Sequence, residues 1–208
     1  MRRKPNPDQR RRDLCDTAIR LLADDGIKGV SHLKVDRKAD VPDGTTSFYF
    51  RTRSALLQAI AVRVSELDLK DLTAAARSQA PLDAAAANEP SGLATLVMRS
   101  ATGARLIRTK ARQELALQAV RDPLLDEAFR RYSDQFHALI RDVVLRLRPE
   151  TGEPDQVLAD RQAYVVMMFI SGVMQAFASG DRRIRSAAEL DALISGIVAG
   201  VGPSAPLR

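Results

Sequence analysis

Apolar side chains recur at helical spacing along most of this chain, and no segment alternates polar and apolar residues over the length of a strand. The first such series is Leu14, Ala18, Leu21 and Leu22, which share one helix face, and Gly26 is expected to end that helix. Similar segments follow, about nine helices in all. The sequence therefore predicts an all-α fold, and 208 residues, 45% of them hydrophobic, are enough to bury a core.

Residues with catalytic or metal-binding potential are few and scattered. The chain has one cysteine, Cys15, and two histidines, His32 and His137, so it lacks a disulfide framework and a Cys/His-rich zinc motif. These residues fall in separate segments, and their spacing suggests no nucleophile with its base. Glycine-rich phosphate cradles and a nucleophile elbow are absent from the sequence. We expect a cytoplasmic protein that is not an enzyme and has no cofactor or metal.

Two short helices separated by a tight break are predicted between Ser31 and Thr52. Ser31 is expected to cap the first of them, and Pro42 suits the first position of the second. Asp40 stands where the chain must reverse within very few residues, and Asp tolerates the left-handed conformation better than most residues do. Thr52 is expected to cap the helix that follows. Together with the first helix of the chain, this arrangement has the geometry of a helix-turn-helix.

Basic charge is concentrated near the start of the chain. Residues 1–60 hold 13 Lys and Arg against 8 Asp and Glu, and the whole chain carries a net charge of +6. Residues 1–12 alone carry six basic side chains and one acid. Such an arm suits a polyanion such as nucleic acid or an anionic membrane, and the alternative is a solvated, disordered tail.

The sequence from Ser31 to Leu57 resembles the DNA-binding domain of TetR-type transcriptional regulators. The matching positions, in unbroken register, are Ser31, Val35, Ala39, Val41, Gly44, Phe50, Leu56 and Leu57. Three positions depart from the family pattern, with Asp40 for Gly, Ser47 for Tyr and Arg53 for Lys. The resemblance covers about residues 10–60. It implies a second helical domain that binds a small molecule and dimerises through the last two helices.

This resemblance sets the expected domain organisation. We expect a basic disordered arm over residues 1–9, a helix-turn-helix DNA-binding domain over residues 10–60, and a helical effector-binding and dimerisation domain over residues 61–208. A dimer of such domains would bind a palindromic double-stranded operator.

The second helix of the motif is expected to enter the major groove, where short side chains would let its backbone approach the base edges. Lys34, Arg37, Lys38, Arg51 and Arg53 could neutralise phosphates. Asp43 has two open roles: it accepts from a cytosine amino group, or it caps its helix. The predicted DNA-binding residues are Ser31, His32, Lys34, Arg37, Pro42, Asp43, Gly44, Thr45, Thr46, Ser47, Tyr49 and Arg53.

Aromatic and histidine residues in the same motif have other expected positions. Phe48 and Phe50 are expected to pack in the core rather than to stack on bases. His32 either contacts phosphate or is an ordinary surface histidine. Tyr49 is a candidate replacement for the phosphate contact that the Tyr missing at position 47 would have made.

A long uncharged segment covers residues 162–180. Its length meets the requirement for a membrane span, but it contains glutamine, serine and glycine, and Arg161 and Asp181 bound it closely. A helix that is apolar nearly all round is also what a subunit interface and a domain core require. We favour a four-helix interface between two subunits, formed with the last helix, and no membrane. Small residues for close helix approach are Gly172, Ala176, Gly196 and Gly200.

Methionine and phenylalanine residues in the second half could line an adaptable apolar pocket, with two polar groups to orient a ligand. The alternative is that each belongs to the core. The predicted ligand-binding residues are Met98, Phe136, His137, Met167, Met168, Met174 and Gln175.

The sequence as a whole therefore indicates a homodimeric, sequence-specific DNA-binding regulator, and we expect a repressor released by a small apolar or amphipathic effector. The effector would favour a conformation in which the two recognition helices are wrongly spaced for adjacent major grooves. The alternative is a helical ligand-binding or scaffold protein that has lost DNA recognition and keeps the motif as a structural unit.

Overall fold

A computed structural model describes residues 6–77, 89–147 and 155–202, and within these ranges it contains helices and no strand. The expected all-α fold is confirmed. Nine helices lie in the described ranges, namely α1 (Pro7–Gly29), α2 (His32–Lys38), α3 (Thr45–Tyr49), α4 (Arg53–Arg77), α5 (Gly92–Arg99), α6 (Gly103–Ala119), α7 (Pro123–Leu147), α8 (Gln156–Ala178) and α9 (Ala187–Gly200).

The helices form two compact units that differ from the expected domains. The first unit contains the described residues up to Asp68 together with Thr102–Tyr132, and the second contains the described residues of 69–101 and of 133–208. The expected boundary at residue 60 does not mark a compact unit, because α6 packs along α1 and supplies Ala111 and Leu115 to the first core. The assignment of DNA binding to the first unit, and of effector binding and dimerisation to the second, remains a prediction.

The first unit is built around the apolar face of α1. Leu14, Ala18 and Leu22 are fully buried, with Val35 of α2 and Leu56 of α4 packed in the same core. The helix begins earlier than expected, since residues 7–9 of the predicted disordered arm belong to α1; residues 1–5 lie outside the described part of the chain.

Gly26, the expected end of the first helix, is where the backbone leaves the helical conformation, although α1 resumes after it and runs to Gly29. Gly26 has φ 67° and ψ −172°, a left-handed backbone that interrupts α1 and that side-chain-bearing residues rarely adopt. The half-buried N–H of Ile27, freed by this break, donates to Glu114 Oε2 of α6 at 2.9 Å. A hydrogen bond to a side chain of α6 thus satisfies the N–H group that follows the interruption of α1.

The second unit has its own core between α5, α7, α8 and α9, in which Leu93, Val144, Val166 and Leu190 are fully buried. Helix starts in this unit follow the expected chemistry. Ser91 accepts from Ala94 N–H and caps α5, and Ser186 accepts from Glu189 N–H and caps α9. Asp191 of α9 accepts from both the backbone N–H and the hydroxyl of Ser91, so the start of α5 is fixed to α9.

Two expected loops fall largely outside the described part of the chain. They are the connector over residues 78–92, of which 78–88 are not described, and the loop over residues 149–154. The predicted bounds of α8, about residues 156–178, are confirmed.

Candidate nucleic-acid interface

The turn between α2 and α3 is as tight as the sequence predicts. Ser31 accepts from Lys34 N–H and caps α2, and α2 ends at Lys38. Asp40 then has φ 53°, the left-handed conformation expected for it, and Gly44 has φ 93°. With these two residues the chain reverses within six positions and begins α3 at Thr45.

A buried carboxylate holds α3 against α2. Asp36 is fully buried, and its two oxygens accept from Gly44 N–H at 2.8 Å, Thr46 N–H at 2.7 Å and the hydroxyl of Thr46. These N–H groups lie at the start of a helix, where no intrahelical acceptor is available. Asp36 of α2 therefore caps the start of α3, although it belongs to the neighbouring helix.

This arrangement corrects two expectations for the start of α3. Gly44 occupies the N-cap position without a side-chain cap, so the capping role considered for Asp43 is wrong. Pro42 is not the first helical residue; its carbonyl accepts from the N–H and the hydroxyl of Thr45. Pro42 and Asp43 are both exposed beside the start of α3.

The residues of α3 divide into an inner and an outer side. Thr46 is fully buried with its hydroxyl on Asp36, so it positions the helix and cannot contact DNA, contrary to its prediction as a DNA-binding residue. Ser47 is exposed, and Thr45 is half-buried. Phe50 is buried as expected, but Phe48 is 70% exposed, so the expectation that it packs in the core is wrong.

Two residues considered for phosphate contact, His32 and Arg53, form hydrogen bonds to backbone carbonyls in the structure. His32 lies 2.7 Å from the carbonyl of Phe50, and because a carbonyl only accepts, Nε2 of His32 carries the donated proton. The guanidinium of Arg53 donates to the carbonyls of Ile27 and Val30 at the end of α1. Both side chains thus fix the helix ends of the motif.

Other cations of the motif have no such partner. Lys34, Arg37, Lys38 and Arg51 are exposed, and none of them forms an ion pair with any residue in the described ranges. Unpaired cations beside an exposed helix are what a phosphate backbone requires. Arg11 of α1 has a different role, since it donates to the carbonyl of Tyr49 at 3.0 Å and stacks over the ring of Phe50.

The first unit offers little for covalent or metal chemistry. Burial raises the pKa of the Cys15 thiol from 9.0 to about 12, with the neighbouring Asp16 adding to the effect, so the thiol stays protonated at neutral pH. Asp16 in turn forms a bidentate pair with Arg63 of α4. In the parts of the chain that the structure covers, no three His, Cys, Asp or Glu residues lie together as a metal site.

Helices α8 and α9 carry an uncharged surface, here called the outer stripe. It consists of exposed residues only, namely Tyr164, Met168, Ser171, Gly172 and Gln175 on α8 and Leu193, Gly196 and Gly200 on α9. Tyr164, Met168 and Leu193 are 56%, 47% and 43% exposed. A Cβ added at any of the three glycines would meet no atom within 4 Å, so none of the residues that the structure describes covers them.

By length and composition α8 could also cross a membrane, and it is the one helix in the described ranges that could. Only 39% of its most apolar window is buried within the chain. In the single chain, α8 therefore leaves much of its apolar surface uncovered.

The predicted ligand-binding residues do not form one group. Met98, Phe136 and Met174 pack against the second core, and Met167 and His137 are half-buried. Met168 and Gln175 belong to the outer stripe and are exposed, so the single chain does not bring them together with the five other predicted ligand-binding residues. The seven residues lie on α5, α7 and α8, and the rotation of each helix decides which of them face the core and which face outward.

Two polar residues with clear roles were missed by the sequence analysis. One is Asp36, whose only sequence signal is an acid beside the inward-facing Val35. The other is Gln162 of α8, which is buried and donates to the carbonyls of Val198 at 2.7 Å and Val201 at 3.1 Å, so it joins α8 to the end of α9. A glutamine in an uncharged segment is the signal that could have revealed it.

No protein-family model and no curated protein matches this sequence. Solved structures do match along nearly the whole chain. The multidrug binding protein EbrR, complexed with imidazole, is 21% identical with a TM-score of 0.63, covering 98% of this chain and 99% of its own. A transcriptional regulator from Rhodococcus sp. Rha1 is 17% identical with a TM-score of 0.69, covering 95% and 96%.

A third structure connects this architecture with a named family. It is a protein from Mesorhizobium loti assigned to the TetR family of transcriptional regulators, 18% identical with a TM-score of 0.60, covering 95% of this chain and 97% of its own. The similarity in fold extends over nearly the full length of both chains. This chain therefore has the fold of the TetR-family transcriptional regulators.

Proposed function

We propose that this protein is a sequence-specific DNA-binding transcriptional regulator. The observation that carries the proposal is the helix-turn-helix itself: the inner side of α3 is fixed by Asp36, and its outer side is left free beside unpaired cations. A helix held in this way can be inserted into the major groove without losing its backbone geometry. The shared fold with TetR-family regulators supports the same conclusion.

The proposed contacts divide by chemistry. Lys34 and Arg37 on α2, with Lys38 and Arg51, neutralise phosphates. The exposed residues at the start of α3 approach the base edges, and Asp43 keeps the role of acceptor from a cytosine amino group. The residues proposed to face the bases are Pro42, Asp43, Gly44, Thr45 and Ser47, and Tyr49 is proposed to contact a phosphate. Ser31, His32, Thr46 and Arg53 act by positioning the helices.

We propose further that two copies pair through the outer stripe. Three exposed apolar side chains and three uncovered glycines on two adjacent helices suit close packing against an identical surface. Pairing would bury the part of α8 that the single chain leaves exposed. A twofold dimer presents two copies of α3 and would therefore bind a palindromic operator.

The proposed regulation is release from the operator by a small apolar or amphipathic molecule bound in the second unit. Met98, Phe136 and Met174 lie at the edge of its core, where flexible and aromatic side chains can adapt to a ligand. The similar protein EbrR has been solved with proflavin, ethidium and malachite green. These three dyes are suitable first probes, by fluorescence titration. The effector acts to the extent that it prefers the conformation that binds DNA poorly.

The test is selection of duplexes from a random pool, followed by affinity measurements over a range of salt concentration. We expect an enriched palindromic motif and an affinity that falls steeply with salt. Lys34→Ala removes two phosphate contacts per dimer and should lower the salt slope by about 2, whereas Lys70→Ala, on an exposed position of α4, should leave it unchanged. No enriched motif, together with retained dye binding, would favour a ligand-binding or scaffold protein without DNA recognition.

A further inference from the structure

Phe48 lies on the exposed side of α3. Successive residues of a helix are separated by about 100°, so Phe48 lies roughly 200° around the axis from Thr46, which is fully buried. The ring is accordingly 70% exposed, although phenylalanine is among the residues most often found inside proteins. Packing in the core of the first unit therefore does not explain why a phenylalanine stands at this position.

The ring of Phe48 contacts one neighbouring ring on a helix that is held at both ends. The ring of Tyr49 meets it edge-on, with centroids 5.2 Å apart and planes at 86°. The carbonyl of Tyr49 accepts from Arg11 at 3.0 Å, and Asp36 fixes the other end of the helix. Because the backbone of α3 is held at both ends, little backbone ordering is needed when the exposed ring meets a surface.

The neighbouring side chains leave the ring as the main group on this face. Thr45 precedes Phe48 by three residues and shares its face of α3. The Thr45 hydroxyl, however, donates to the carbonyl of Pro42 at 2.6 Å, so its proton is already used within the turn. A phenyl ring has no donor for a phosphate oxygen, which leaves apolar contact as its contribution to binding.

We infer that Phe48 reads the C5-methyl group of a thymine in the major groove. Among the groups that base pairs present in that groove, the thymine methyl is the apolar one, and aromatic side chains contact it. This inference rests on the proposed DNA-binding function and adds a specificity-determining residue that the sequence analysis assigned to the core. It predicts one position in each half-site where thymine is preferred because of its methyl group.

The first experiment compares duplex selection by the wild-type protein, Phe48→Ala and Leu117→Ala. Leu117 lies on α6 of the same unit and is 72% exposed, so its truncation is a matched loss of exposed apolar surface away from α3. We expect Phe48→Ala to lose the thymine preference at one position of each half-site and Leu117→Ala to keep it. Thermal unfolding followed by circular dichroism checks that both variants are folded, as their exposure leads us to expect.

The second experiment replaces that thymine by deoxyuridine, which removes the methyl group and leaves every hydrogen-bonding group in place. Wild-type affinity should fall by about fourfold for each substituted half-site, the value of one buried methyl group. Phe48→Ala should bind the two duplexes equally. Equal binding of both duplexes by the wild type, or a loss in Phe48→Ala that is the same for thymine and deoxyuridine, refutes the inference and leaves the proposed function standing. Failure of the wild type to enrich any motif refutes both.

Discussion

Removing the buried carboxylate of Asp36 should destabilise the helix-turn-helix by an amount that the structure allows us to estimate. In Asp36→Ala the N–H and the hydroxyl of Thr46, both buried, lose their acceptor, and each such loss costs about 1–3 kcal/mol. The N–H of Gly44 lies at an exposed residue, where water can replace the carboxylate. Relief from burying a charge offsets part of the cost. We expect a net loss of about 2–4 kcal/mol.

Urea unfolding followed by circular dichroism measures this loss, and two further variants test its origin. Thr46→Val keeps the shape of the side chain and removes one hydrogen bond to a charged acceptor, so it should cost less than Asp36→Ala. Asp24→Ala removes an exposed carboxylate from α1 and should change the free energy of unfolding by no more than about 0.5 kcal/mol. If Asp36→Ala is as stable as Asp24→Ala, Asp36 does not hold α3 in place.

Three other changes give separable results. Arg53→Ala should lower the free energy of unfolding by about 1 kcal/mol in the same assay, because two carbonyls lose a charged donor, while Arg51→Ala should lower only the salt slope of DNA binding. Cys15 has a folded-state pKa near 12 against 9.0 when unfolded, so the folded chain binds more protons in this range and stability falls as pH rises through it. From pH 8 to pH 10.5 the wild type should therefore lose about 2 kcal/mol more than Cys15→Ala, and parallel losses would contradict the burial of the thiol. Met168→Lys on the outer stripe should give a monomer by light scattering, whereas Asp142→Lys on an exposed site of α7 should stay dimeric; a wild-type monomer would refute the pairing.

Much of the secondary structure could be predicted because its causes are local. Ser31, Thr52, Ser91 and Ser186 each accept from a backbone N–H three residues ahead, a pattern that is visible in the sequence. The left-handed residue at Asp40 was predictable for the same reason, since the turn had to be made within a few residues.

Long-range contacts explain where the structure gives residues of the predicted site a role that their type did not indicate. His32 and Arg53 are polar and suit phosphate binding by type, yet their partners are carbonyls 18 to 26 residues away. Met168 and Met174 are the same residue type in the same helix, yet one faces outward and the other packs on the core. Composition cannot separate such cases, because the rotation and packing of the helix decide which side chain is covered.

The sequence alone determined the all-helical class, most helix boundaries and the position of the helix-turn-helix, since periodicity, caps and turn residues act over a few positions. Only the tertiary structure decided that α6 joins the first unit, that Asp36 fixes α3, and that Phe50 is buried while Phe48 faces outward. These outcomes depend on which helix faces meet. The two phenylalanines are equally apolar, but their side chains project in different directions from the backbone. One is therefore a core residue, and the other is free to contact DNA.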